Sequence, residues 1–254
     1  MKKINSTRQP PIHRPIPDLL TIGLLASFLS GCGSLAPLTG QSFTLEGQLP
    51  ADFAIKAQAH YSVANGCDGR SQTRSFQRDF EDAPHAYRFR IPINYRDGLC
   101  AMQLARVGLY IDGRYGDKDW ERTYDNGSLA LVDTLPKGAP GFDASGTLSK
   151  TAECTWLFKM STAISRKGEI DKLLSCKGAG AFLVTSELPD KIVSLSFNLS
   201  QNEEPAKLNT WIKTHDGWKP CLPKPGWQSC QNPPIFQKFK MKDQECSVYP
   251  KCTE

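Results

Sequence analysis

From Ser42 onward the dominant period of the chain is two. Ile55, Ala57, Ala59, Tyr61 and Val63 alternate with Lys56, Gln58, His60 and Ser62. Tyr87, Phe89, Ile91 and Ile93 alternate with Arg88, Arg90 and Pro92, and Ala105, Val107, Leu109 and Ile111 with Arg106, Gly108 and Tyr110. Successive side chains of an extended strand point to opposite faces, so each run predicts a half-buried strand. Pro92 has no N–H for a ladder and predicts an edge strand or a bulge. Asp112-Gly113 and Asn126-Gly127 are turn dipeptides. Beyond them Cys154, Trp156, Phe158 and Met160 alternate with Glu153, Thr155 and Lys159. Val193, Leu195, Phe197 and Leu199 alternate with Ser194, Ser196, Asn198 and Ser200. The segment Ile170 to Leu174 fits a strand or a short helix, and no stretch carries a sustained helical period.

These runs predict an all-β chain: a β-sandwich over 42–135, a smaller β region over 142–214 and a cross-linked segment over 215–254. The break falls at Pro136-Lys-Gly-Ala-Pro-Gly141, where prolines and glycines interrupt any ladder. By analogy of strand count and spacing alone, the sandwich would be immunoglobulin-like or transthyretin-like. The last segment holds four cysteines and six prolines with little apolar periodicity, so it is expected to depend on its bridges.

The N-terminus reads differently. Lys2, Lys3, Arg8 and Arg14 precede an apolar run from Leu19 to Leu29. A basic start before a run this short is an export signal, since a spanning helix needs about 20 residues. The run ends in Leu29-Ser30-Gly31-Cys32, which resembles the lipobox of bacterial lipoproteins. That resemblance implies cleavage of residues 1–31, lipidation of Cys32 and a tether over 32–41. Gly33 rather than Asp follows Cys32, which implies anchoring in the outer membrane, facing the periplasm. The stretch before the apolar run departs from the family in being long and carrying Pro10, Pro11, Pro15 and Pro17.

Export changes the meaning of charge and of cysteine. Formal net charge is +5 over the full chain. Removing residues 1–31 takes four basic and one acidic residue, lowering Lys plus Arg from 31 to 27 and Asp plus Glu from 26 to 25, a net of +2. No global charge argument for a nucleic-acid partner survives. Eight cysteines follow Cys32, an even number in an oxidising compartment, which reads as disulfides. Segregation along the chain suggests Cys67–Cys100, Cys154–Cys176, Cys221–Cys230 and Cys246–Cys252. No Cys-x-x-Cys occurs, and neither a metal nor a cofactor is expected. At 39% hydrophobic and 22% charged residues the composition excludes a disordered chain.

Signatures of catalysis are missing from the sequence. The histidines form neither His-Glu-x-x-His nor His-x-His, and there is no Gly-x-Ser-x-Gly, Ser-x-x-Lys or nucleotide-binding glycine motif. The chain reads as a non-enzyme. The acid-rich stretch Asp112 to Asp125 invites a calcium reading, but its spacing fails the EF-hand pattern and Arg114, Lys118 and Arg122 are interleaved. The same stretch carries Tyr115, Trp120 and Tyr124, aromatics beside both signs of charge, which makes it the first candidate for a partner-binding surface. Trp211, Trp218 and Trp227 could stack on sugar rings or fill a small core. Phe236-Gln-Lys238-Phe-Lys240-Met-Lys242 alternates apolar and basic residues, as a strand on anionic headgroups or an edge strand guarded by lysines would.

Three functions fit these features. The first is a lipid-anchored module that binds another protein. It weakly resembles the immunity lipoproteins that accompany type VI secretion effectors. That resemblance is carried by Leu29-Ser30-Gly31-Cys32, by Cys67 and Cys100, and by Glu153-Cys154-Thr-Trp156-Leu-Phe158-Lys with Cys176. It implies an inhibitor held where a secreted toxic effector acts. The second is a structural or assembly lipoprotein of an envelope or secretion complex. The third is a glycan-binding or hydrolytic lipoprotein, which predicts a pocket lined by at least two of the three tail tryptophans.

Overall fold

The computed structural model describes residues 40–64, 67–241 and 243–248. The expected export signal, Cys32, most of the expected tether and Cys252 lie outside these residues. The described chain is a disulfide-stapled β-sandwich, as the alternation predicts.

One sheet runs in the order β9 (Ile170–Lys177), β8 (Thr147–Met160), β11 (Ile192–Leu199), β1 (Ser42–Leu49), β4 (His85–Pro92). The short β12 (Glu204–Pro205) joins β8 past the end of β11. The facing sheet runs β3 (Gln72–Arg78), β2 (Phe53–Val63), β6 (Cys100–Arg114), β7 (Arg122–Val132), β10 (Gly180–Val184), with β5 (Asn94–Asp97) also paired to β6. Four pairings are parallel, β1 with β11, β11 with β8, β12 with β8 and β10 with β7. They set the topology apart from the all-antiparallel sheets of an immunoglobulin-like sandwich.

The expected division into 42–135 and 142–214 does not follow the sheets. β11 lies between β1 and β8, and β10 lies beside β7, so both stretches contribute to both sheets. Residues 136–141 are a loop within one sandwich. A linker and an inter-sheet loop have the same proline and glycine content, and only the long-range pairing tells them apart. The core between the sheets includes Phe43, Leu45, Ile55, Tyr61, Ile91, Leu109, Ile111 and Leu195. Ile170–Lys177 is strand, and no α-helix occurs among the described residues.

Both turn dipeptides lie inside strands. Gly113 pairs with Thr123 and Gly127 with Leu109. A Cβ on Gly113 would come 2.8 Å from Cη2 of Trp156, and one on Gly127 would come 1.7 Å from the carbonyl oxygen of Ala179. Glycine is required at these points by close packing of another chain segment, not by a turn. The alternation in β6 also slips: His60 pairs with Arg106 but Tyr61 with Leu104. Ala105 is the extra, exposed residue of this bulge, which lets Leu104 and Val107 both face inward.

Pro92 does lie on an edge strand. The Thr44 N–H donates to Lys191 O (2.9 Å), so even-numbered residues of β1 face β11 and the odd ones bond β4. In β4 the groups of Ala86, Arg88, Arg90 and Pro92 therefore face outward, and the missing N–H of Pro92 falls on the free edge. Its carbonyl accepts from the Tyr61 hydroxyl at 2.9 Å. At the opposite side the sheets are joined. The carboxylate of Asp125 on β7 accepts from the Cys176 N–H on β9 at 2.6 Å.

Cys154 and Cys176 face each other across β8 and β9 and form one disulfide, and Cys67–Cys100 and Cys221–Cys230 form two more. These are three of the four suggested links; the fourth involves Cys252, outside the described residues. The C-terminal segment also forms short strands of its own. β13 (Trp211–Thr214) pairs with β14 (Gly217–Pro220), and β15 (Phe239–Met241) with β16 (Gln244–Cys246). Trp211, Phe239, Met241 and Cys246 share a second core with Phe158 of β8 and Ile170 of β9.

Two core phenols give a pH-dependent expectation. Tyr61 is 1% exposed, and Tyr87, 3% exposed, donates its hydroxyl to Leu195 O at 2.6 Å. Burial pushes both phenols well above their ordinary range, opposed at Tyr61 by the charge of Arg74. A raised folded value stabilises the fold fully below the unfolded phenol pKa of about 10, and that contribution is lost as pH rises toward the folded value. In a base titration Tyr61 and Tyr87 should ionise only as the sheet circular-dichroism signal disappears. Ionisation of both with the sheets intact would contradict this packing.

Candidate functional site

The outward faces of the two sheets differ in chemistry. On the β9–β4 sheet the outward positions of β1, β4 and β11 include Glu46, Arg88, Ser194 and Ser196, and no aromatic residue. On the β3–β10 sheet the alternation brings Tyr110 of β6, Tyr124 of β7 and Phe182 of β10 to the outward face. Phe80, just past β3, joins Tyr110 and Tyr124 in a cleft of about 310 Å³ bordered also by Lys56, Arg78 and Arg122. A second cleft of about 300 Å³, lined by Ser128, Ala130, Pro140 and Phe182, opens where β10 meets the 136–141 loop.

Cations sit over these rings. The Lys56 ammonium lies 5.3 Å from the Tyr110 centroid, and Tyr110 and Tyr124 are 6.4 Å apart. The guanidinium carbons of Arg122 and Arg114 lie 4.9 and 5.3 Å from Phe80. Arg114 donates from Nε to Asp52 (2.7 Å) and from a terminal nitrogen to Asp82. The hydrogen bond to Asp52 is the largest cause holding Arg114 above its usual range. Arg122 faces Asp112 at 3.6 Å. Farther along this face His60 contacts the Thr73 hydroxyl at 3.2 Å, and its pKa is lowered by burial and then by the charge of Arg106. Flat aromatic surface under fixed cations suits carboxylate-bearing and aromatic side chains of another protein.

The three aromatics singled out from the sequence are not brought to one place. Tyr124, 57% exposed, belongs to the face just described. Tyr115 turns inward onto Trp156 at 5.5 Å, and its hydroxyl donates to Trp120 O at 3.2 Å. Burial is the main cause raising the pKa of Tyr115. Trp120, 46% exposed, sits at the β6–β7 tip between the Lys118 ammonium (5.2 Å) and the Arg166 guanidinium (5.5 Å). Tyr110 could have been found from sequence, as an aromatic in the polar phase of β6. Phe80 carries no such signal, because it follows its strand amid Asp79, Glu81 and Asp82.

Three of the five acids of the 112–125 stretch already have protein partners. Glu121 is buried and accepts from the Lys118 N–H (3.1 Å), Asp112 faces Arg122, and Asp125 accepts from Cys176. No group of three or more His, Cys, Asp or Glu side chains able to hold a metal occurs among the described residues. The tail tryptophans separate as well. Trp211 fills the second core, Trp218 packs beside it, and Trp227 is 67% exposed. Trp211 lines a cleft of about 480 Å³ with Met160 and Leu173, while Trp218 lines another with Leu208 and Lys213.

No family model, curated protein or solved structure matches the chain.

Proposed function

We propose that this chain is a non-enzymatic lipoprotein, anchored through Cys32 at the periplasmic face of the outer membrane, that binds another protein. Within that role it acts as an immunity protein, inhibiting a secreted toxic effector. The observation that carries the reading is the asymmetry of the sandwich: the outward positions of β1, β4 and β11 hold no aromatic residue, while the other sheet presents Phe80, Tyr110 and Tyr124 beside Lys56 and Arg122, with Phe182 farther along the same face. Aromatic and arginine side chains supply most of the binding energy in protein interfaces, and side chains on paired strands lose little freedom on binding. The lipobox-like Leu29-Ser30-Gly31-Cys32 supplies the anchor, which concentrates an inhibitor at the membrane.

The test is protection. Cells that export the effector encoded beside this chain should survive with it and die without it. The double variant Tyr110→Ala/Tyr124→Ala should lower affinity for that effector by about 2 kcal/mol or more, roughly 30-fold, measured by calorimetry. Trp120→Ala, measured alongside, reports whether the β6–β7 tip shares the interface. Unchanged affinity in the double variant would remove this face from the account.

A further inference from the structure

The C-terminal segment carries a surface that the proposed protein-binding face does not use. The Cys221–Cys230 disulfide closes a loop that holds Trp227. The Leu222 N–H donates to Ile235 O at 2.8 Å, and Cys221 pairs with Phe236 across an isolated bridge. The Cys230 N–H donates to Asn209 O at 2.8 Å, which brings Leu208 beside the same loop. Leu208, Trp227, Ile235 and Phe236 are 68, 67, 52 and 41% exposed. Scattered apolar side chains are ordinary on a protein surface, but these four share one small hydrogen-bonded unit.

Charge at this unit is predominantly positive. Residues 207–240 hold six lysines and one acid, Asp216. The Lys219 ammonium lies 5.3 Å from the Phe236 ring centroid, and that of Lys224 lies 5.3 Å from Trp227. Lys238 pairs with Glu245 at 3.1 Å. The unit thus joins projecting apolar groups, including a tryptophan, to cations directly beside them. This is the composition of the headgroup layer's protein contacts, where rings sit at the acyl boundary and lysines reach the phosphates.

We infer that this unit docks on a bilayer surface containing anionic phospholipid, with Trp227, Ile235 and Phe236 entering the headgroup layer and Lys219 and Lys224 meeting phosphates. Charge complementarity selects the lipid class, and the projecting apolar groups select a fluid surface, which needs no matching shape. The inference stands apart from lipidation of Cys32. An anchored chain would meet the same surface, and a chain without an anchor would meet it from solution.

Hydrogen exchange of the full chain, with its disulfides formed, tests the inference. The chain is mixed with vesicles of phosphatidylcholine alone or of phosphatidylcholine with phosphatidylglycerol. Amides of 219–240 should exchange several-fold more slowly with the anionic vesicles only, and the protection should fade at high salt. Each lysine lost should cost about fivefold in partitioning, so Lys219→Glu/Lys224→Glu should abolish protection while Lys219→Arg/Lys224→Arg keeps it. Unchanged exchange of the sandwich strands in these variants shows that the fold is intact. Trp227→Ser, which removes an exposed ring, should weaken binding without altering the core. Equal protection by neutral vesicles, protection by neither, or protection only on adding a protein partner would overturn the inference.

Discussion

Trp156→Ala is expected to destabilise the chain by about 3–5 kcal/mol, the range for removing a large buried aromatic side chain. Trp156 is 6% exposed and stands between the sheets at the β6–β7 end. Its ring lies 6.2 Å from Phe53 and 5.5 Å from Tyr115, and it fills the space that a Cβ on Gly113 would need. Neither neighbour can collapse into the void easily, since Phe53 is fixed in β2 and Tyr115 is tied to Trp120 O. Denaturant midpoints of wild type and variant read the effect, with the slope unchanged. A loss below about 1 kcal/mol would mean that this indole is not part of the core.

Loss of the Cys154–Cys176 bridge should be the other large effect. The two cysteines are direct partners in the β8–β9 ladder, and both are buried. Their separation of 22 residues gives roughly 3 kcal/mol in the chain-entropy account. The link lies where the Asp125 carboxylate joins β7 to the Cys176 N–H, so loosening β9 also loosens the contact between sheets. Cys154→Ala/Cys176→Ala should therefore lower the midpoint of the whole sandwich. Cys221→Ala/Cys230→Ala should raise hydrogen exchange in the 211–240 segment and leave the sandwich strands as they were. Equal global destabilisation by both pairs would contradict the separation of the two cores.

Alternation was sufficient to place strands in the chain, because one buried face imposes a period of two wherever a sheet has a wet side. It could not assign their partners. β1 meets β11 across about the length of the domain, and parallel pairing leaves no hairpin signal between them. Without that pairing, the 136–141 loop looks like a domain boundary. Gly113 and Gly127 look like turn residues for a related reason: a glycine that makes room for a distant ring or carbonyl has the same local sequence as a turn. Cysteine pairing was more legible, since Cys67–Cys100, Cys154–Cys176 and Cys221–Cys230 each join neighbours in sequence. The candidate face was half legible. Tyr124 is marked by its charged surroundings, Tyr110 stands in the polar phase of β6, and the placement of Phe80 between Arg114 and Arg122 depends on the path of the chain after β3.

The central proposal is that the aromatic outward face of the β3–β10 sheet grips a protein. Paired affinity capture from secreted and envelope fractions tests it most directly, with the oxidised chain and its Tyr110→Ala/Tyr124→Ala variant as matched baits read by quantitative mass spectrometry. The account predicts one secreted protein captured in stoichiometric amount by the parent and largely lost by the variant. A partner captured equally by both baits, or none captured by either, would contradict it.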